Sequence, residues 1–159
     1  VGVRSQRSGN GPQGLPVNRS AVAAGVVADP DWHLSVLDQG VERTFSLADL
    51  CALPQHTALL PIACVEGWNA WASWEGVPLR DLIDDPGGVA QVTVRSPDPG
   101  GYGASTVNAQ TLNHPDTLLA LRLNGEQLAL DHGYPARLIA PNRRGALQTK
   151  WVTVIEVWR

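Results

Sequence analysis

The apolar stretches of this chain are short, and each is closed by residues that regular structure rejects. Asp38-Gln39-Gly40, Pro54, Pro86-Gly87-Gly88, His114-Pro115 and Asn124-Gly125 interrupt it in turn. Glycine does so by adopting positive φ freely, proline by lacking a backbone donor. With 16 glycines and 12 prolines in 159 residues, no segment is free to run as a long helix. Brief strands and helices of one or two turns remain, the pattern of an α+β domain with a mixed sheet.

The elements follow from periodicity. Trp32 to Leu37 alternates, Asp38-Gln39-Gly40 turns the chain, and Val41 to Phe45 returns as a hairpin partner. Ser46 caps a short helix with Asp49 three residues on, its apolar face being Leu47, Leu50 and Leu53. Leu59 to Ala63 is a buried strand that delivers Cys64. Trp68, Trp71 and Trp74 recur every third residue and are expected as core or pocket wall. Pro78 opens a helix to Ile83, Val89 to Ser96 is a strand, and Asn108 to Asn113 is a short helix. Asn124-Gly125 predicts a tight hairpin between Leu118–Leu123 and Gln127–Leu130. Ala136 to Ala140 and Trp151 to Val157 close the sheet, with Trp151, Thr153, Ile155 and Val157 on one side.

A hydrophobic content of 43% in this length suffices for one core, placed here in residues 32–159. Residues 1–31 read as an extended, poorly packed arm. Gly9-Asn10-Gly11-Pro12-Gln13-Gly14 in that arm satisfies G-x-G-x-x-G, but no strand precedes it and no apolar helix follows promptly, so a dinucleotide site is rejected. Net charge is −3 with 12 Lys plus Arg, which leaves no overall footprint for nucleic acid. No apolar run reaches the roughly 18 residues of a membrane span and no signal peptide opens the chain, so it is expected to be soluble as given. It lacks methionine altogether, as expected of a processed product or a piece of a longer protein.

Two segments carry chemistry. Cys64 lies between a Pro-bounded apolar strand and the turn Val65-Glu66-Gly67-Trp68; its thiolate is a soft metal ligand, although a free cysteine is commonly a small buried hydrophobe. Arg137, Arg143, Arg144 and Lys150 bunch in the second segment. Such positives make a solvated loop or, opposite a phosphate, charge-assisted hydrogen bonds. Zinc would need about four clustered ligands, and the four histidines and two cysteines are scattered. No G-x-S-x-G elbow occurs. A Cys64–His132 hydrolase and a Cys51–Cys64 disulfide stay open on composition alone.

Together, Ser46-Leu47-Ala48-Asp49-Leu50, the Cys64 segment, Trp74 to Leu82, Leu123-Asn124-Gly125-Glu126 and Arg137 to Trp151 resemble the molybdopterin-binding domain of the sulfite oxidase family, in family order. Cys-Val-Glu-Gly-Trp is similar to the bacterial branch typified by the methionine-sulfoxide reductase catalytic subunit. Sulfite oxidases proper usually carry Cys-Ala-Gly-Asn-Arg, and the missing arginine weighs against sulfite as substrate. The resemblance implies a mixed, barrel-like sheet around a molybdenum-molybdopterin cofactor, and two-electron oxygen-atom transfer on a small oxidised sulfur or nitrogen compound or a sulfoxide. It implies Cys64 as the molybdenum ligand with Glu66 beside it. Asn18, Ser96, His132, Arg137, Arg143, Gln148, Thr149 and Lys150 would hold the cofactor, Ser96 being equally a strand-end serine satisfied by its own backbone. It further implies a haem or cytochrome-type electron partner, an upstream membrane segment of the same protein, and a place on the outer face of a bacterial membrane or in the periplasm. A cofactor-free binding module of the same fold is the alternative, though such a module would have no need of Cys64 together with the basic loop.

Overall fold

A computed structural model describes residues 11–17, 19–63, 69–100, 103–141 and 148–159. Cys64, Glu66, Asn18 and Arg143 lie outside them. The described residues form an α+β domain of ten strands in two sheets with short helices, as the interrupted apolar pattern predicts.

In the first sheet β1 (His33–Asp38) pairs antiparallel with β2 (Val41–Ser46) and parallel with β10 (Val154–Trp158), in the register Ser35 to Val154. Beyond β10 come β5 (Gln91–Arg95) and β6 (Ala104–Asn108), both antiparallel. The second sheet runs β3 (His56–Ala63), β4 (Asn69–Pro78), β7 (Leu118–Leu123) and β8 (Glu126–Gln127), with β9 (Arg137–Ile139) also on β7. Gln39 and Gly40 take φ of 51° and 81°, and Asn124 and Gly125 take 51° and 83°. Both tight turns thus have two successive left-handed residues, which match the twist of their strands. Ser46 and Asp49 form a reciprocal capping box on the helix Leu47–Ala52, and Asn108 caps Ala109–Leu112.

Leu118 to Leu121 are all buried because the second sheet is covered on both faces. Leu119, Leu121, Val77 and Leu138 meet Leu34, Val36, Val92, Val94 and Ile155 of the first sheet. Leu118, Ala120, Trp74, Ala72, Ala58 and Ile139 form a second core with Leu15 from the arm. A bulge between Glu75 and Gly76 shifts the register against β7, so Gly76 faces Ala120 while Trp74 faces Leu123. That shift carries Leu123 onto the face of Leu118 and Ala120.

Several expectations are corrected. Trp71 and Trp74 lie on one strand, where a spacing of three reverses the face: Trp74 is 0% exposed and Trp71 66%. The helix expected from Pro78 is one 3-10 turn, Leu79–Leu82, since Pro78 is the last residue of β4. The strand expected from Trp151 starts at Val154, because Trp151 holds φ 54°. The return strand at Gln127–Leu130 ends at Gln127. There the Gln13 side chain takes over, donating from Nε2 to the Leu123 and Gln127 carbonyls (3.1 and 3.0 Å) and accepting from the Ala129 N–H (2.9 Å).

That contact also revises the poorly packed arm. Among its described residues, Leu15, Ala21 and Ala24 are buried, the last two against Trp151. No described helix is long and apolar enough to cross a membrane.

A Cβ on Gly76 would lie 2.1 Å from the Leu119 carbonyl oxygen. Gly76→Ala is expected to cost at least the upper end of the roughly 1–3 kcal/mol of overpacking, read as the denaturation midpoint. An unchanged midpoint would mean that the bulge is not set by this approach.

Candidate functional site

The basic segment is built on β9 and the chain beside it. Leu138 N–H donates to the Thr149 carbonyl (2.8 Å) and Val152 N–H to the Ala136 carbonyl (2.9 Å), which lays residues 148–152 along β9. On the other side a 3-10 turn, Leu130–His132, ends at Gly133 with φ 113°. A Cβ there would sit 2.9 Å from the Arg137 Cβ and 3.2 Å from the Lys150 Cβ. The backbone approaches these two cations so closely that only glycine fits.

The fold thereby brings together five of the expected residues: His132, Arg137, Gln148, Thr149 and Lys150. Arg137 is 3% exposed. It donates from one terminal nitrogen to the His132 carbonyl (3.1 Å) and from the other to the Gln148 carbonyl (3.3 Å), and its guanidinium stands 5.0 Å over the Trp74 ring. Its Nε and the Trp74 Nε1 are buried with no hydrogen-bond partner among the described residues. None of the described carboxylates bonds to this guanidinium, and burial pulls its pKa down to about 10.

Lys150 Nζ donates to the carbonyls of Arg19 (2.9 Å) and Asp131 (2.7 Å) and lies 5.5 Å from the Trp151 ring. Burial first, and Arg137 next, lower its pKa to about 7. His132, 1% exposed, bonds through Nε2 to the Pro12 carbonyl (2.7 Å). A carbonyl only accepts, so Nε2 carries the proton; burial lowers the imidazole pKa and keeps the ring neutral. Gln148 Oε1 accepts from Ala140 N–H (3.0 Å), and the Thr149 hydroxyl meets that of Ser105 at 2.5 Å.

The Ser96 Oγ accepts from the Asp98 N–H at 3.2 Å. Cys51 is a free, exposed thiol. Asp98, Arg19 and Ser105 also belong to the surroundings of the cluster, and sequence reasoning assigned none of them a part in it. Their contacts span 79 residues for Arg19 with Asp98 and 44 for Ser105 with Thr149, so no local pattern announces them.

Residues 21–159 match the oxidoreductase molybdopterin binding domain family. The chain belongs to this family. It is a molybdopterin-binding oxidoreductase domain, and molybdopterin is its cofactor. Mitochondrial sulfite oxidase of Drosophila melanogaster is 30% identical over 174 residues, taking in 92% of this chain and 30% of that protein. The putative protein-methionine-sulfoxide reductase subunit YedZ1 of Azospira oryzae is 28% identical over 73% of this chain and 44% of its own length. The sulfane dehydrogenase SoxCD of Paracoccus pantotrophus shares the fold, with a TM-score of 0.73 at 22% identity over 85% of this chain and 40% of that one. This domain thus spans less than half the length of each of these relatives.

The Lys150 amine gives a pH signature. Below about 7 the folded and unfolded chains both hold its proton, and the full cost of burying the charge is carried. Between about 7 and the ordinary 10.5 the unfolded chain binds the extra proton, so stability of the cofactor-free protein rises with pH across that window. Melting temperature measured through it should climb less steeply in Lys150→Met than in the parent; parallel curves would show that Lys150 is not held as described.

Proposed function

We propose that this domain holds the cofactor of an oxidoreductase that moves an oxygen atom, with two electrons, to or from a small oxidised sulfur or nitrogen compound or a sulfoxide. The observation that carries the reading is Arg137, a buried guanidinium beside Lys150 whose Nε has no partner among the described residues. A buried cation without a counter-charge is costly, and an anion in contact with it removes that cost. The terminal phosphate of molybdopterin is such an anion, so the residues present fit the group. The relatives named for sulfite oxidation and methionine-sulfoxide reduction support the substrate class.

In this reading Arg137 and Lys150 balance the phosphate, Thr149 and Gln148 supply neutral polar contacts, and neutral His132 packs beside the pterin. Asn18 and Arg143 would add cofactor contacts, as the resemblance implies. The arm keeps water from the cations by lying over His132 and Lys150 through its Pro12 and Arg19 carbonyls. Cys64 is the thiolate that would bind molybdenum, and Glu66, two residues on, would hold a proton beside it. When bound, the group supplies a metal that accepts or returns two electrons as the oxygen atom is transferred. Electrons then need a partner, for which a haem protein is the proposed class; the Azospira relative is itself described as a subunit.

The test is molybdenum and pterin content of the chain made in a host that synthesises the cofactor, with Cys64→Ser and Arg137→Met in parallel. Near-stoichiometric metal is expected in the parent, metal lost or altered in Cys64→Ser with pterin kept, and both lost in Arg137→Met. A parent protein with neither metal nor pterin would instead be a cofactor-free module of this fold.

A further inference from the structure

We infer that Asp98 is a positioning residue for Lys150, acting through Arg19; the inference rests on the reading that Lys150 meets the cofactor phosphate. Asp98 belongs to the turn between β5 and β6, away from β9 in sequence, and its side chain is 3% exposed although that of its partner Arg19 is 32%. The turn holds Asp98 without help from the arm. Its N–H donates to the Ser96 hydroxyl (3.2 Å) and its Oδ1 accepts from Gly100 N–H (2.9 Å). Ser96 N–H closes the turn on the Gly103 carbonyl (2.8 Å), and a Cβ on Gly103 would fall 2.1 Å from the Asp98 carbonyl oxygen.

A carboxylate fixed in this way is a rigid socket. Arg19 enters it with both prongs, Nε to Oδ2 at 2.7 Å and a terminal nitrogen to Oδ1 at 2.8 Å, the geometry that gives an arginine–carboxylate pair its directional strength. The same residue's main-chain carbonyl accepts from Lys150 Nζ at 2.9 Å. Only two residues further along the arm, Ala21 N–H donates to Asp131 Oδ1 (2.9 Å), and the Asp131 carbonyl is the second acceptor of Nζ at 2.7 Å. The ammonium therefore hangs between two carbonyls that are themselves tied together, and the Asp98 socket sets where the first of them stands.

Asp98 also acts on the charge of this amine. Among the described residues, the charged and titratable groups around Lys150 are Arg137 on β9, Asp131 and His132 on the 3-10 turn, Arg19 on the arm and Asp98 on the turn after β5. The two carboxylates favour the protonated amine and the two arginines disfavour it.

The experiment follows pterin retention in the loaded protein, read as fluorescence of the oxidised pterin after dialysis and denaturation, for the parent, Asp98→Asn, Lys150→Met and the double variant. Lys150→Met is expected to lose pterin about tenfold faster than the parent, the order set by one charge-assisted hydrogen bond. Asp98→Asn should lose it nearly as fast, and the double variant no faster than Lys150→Met alone. Rates that multiply in the double variant would show that Asp98 supports only the fold, and would overturn the inference. Should Asp98→Asn not accumulate, Arg19→Gln, which leaves the socket intact, takes its place in the same cycle. Retention by Lys150→Met equal to the parent would instead bring down the reading of Lys150 as the phosphate contact, and this inference with it; rates that multiply would leave that reading standing.

Discussion

A guanidinium sealed from water with none of the described acids against it is an expensive thing for a small domain to maintain, and much of this structure is arranged around it. Arg137 leaves a strand that is covered on both faces. Below it lies the Trp74 ring, and its hydrogen bonds go to backbone carbonyls, which supply partial charge without neutralising it. Gly133 is required because the turn must pass within van der Waals contact of Arg137 and Lys150. The bulge opposite Gly76 brings Leu123 onto the face of Trp74, whose core also holds Ala72, while Val77 serves the other core. Positive charge is thus concentrated by packing in a chain whose formal net charge is −3.

The arm completes the enclosure from one side. Gln13 extends β8 in place of a strand, Leu15 plugs the second core, and Arg19 and Ala21 are tied to Asp98 and Asp131. Apart from Leu15, each of these contacts joins a polar group of the arm to a main-chain or carboxylate partner in the domain. The result is a cover whose footing is electrostatic near Lys150 and apolar near Trp151.

How much of this could be read in advance depended on the range of the interaction concerned. The Asn124-Gly125 hairpin, the Ser46–Asp49 cap and the β1–β2 hairpin rest on contacts within a few residues, and the chain displays them openly. The cluster His132, Arg137, Gln148, Thr149 and Lys150 was recognisable as a group through its resemblance to a family and through its crowding of polar residues on irregular backbone. Trp71 misled because the size of an indole suggests burial, and only the strand period decides that it faces out while Trp74 faces in. Asp98 was invisible for a different reason. Its surroundings, Pro97-Asp98-Pro99-Gly100, spell an ordinary turn, and the arginine that gives it meaning is 79 residues away.

The separation of partners along the chain has a consequence for how the protein is made. The Pro12 carbonyl waits for His132, 120 residues later, and the Arg19 carbonyl waits for Lys150, 131 residues later. The first sheet is likewise open until β10 slides in beside β1. On a ribosome that delivers the amino-terminal end first, the cover is synthesised long before the thing it covers, and it cannot close until Lys150 has emerged. The newborn chain therefore passes through a stage in which the roof has been made and the cationic pocket beneath it has not.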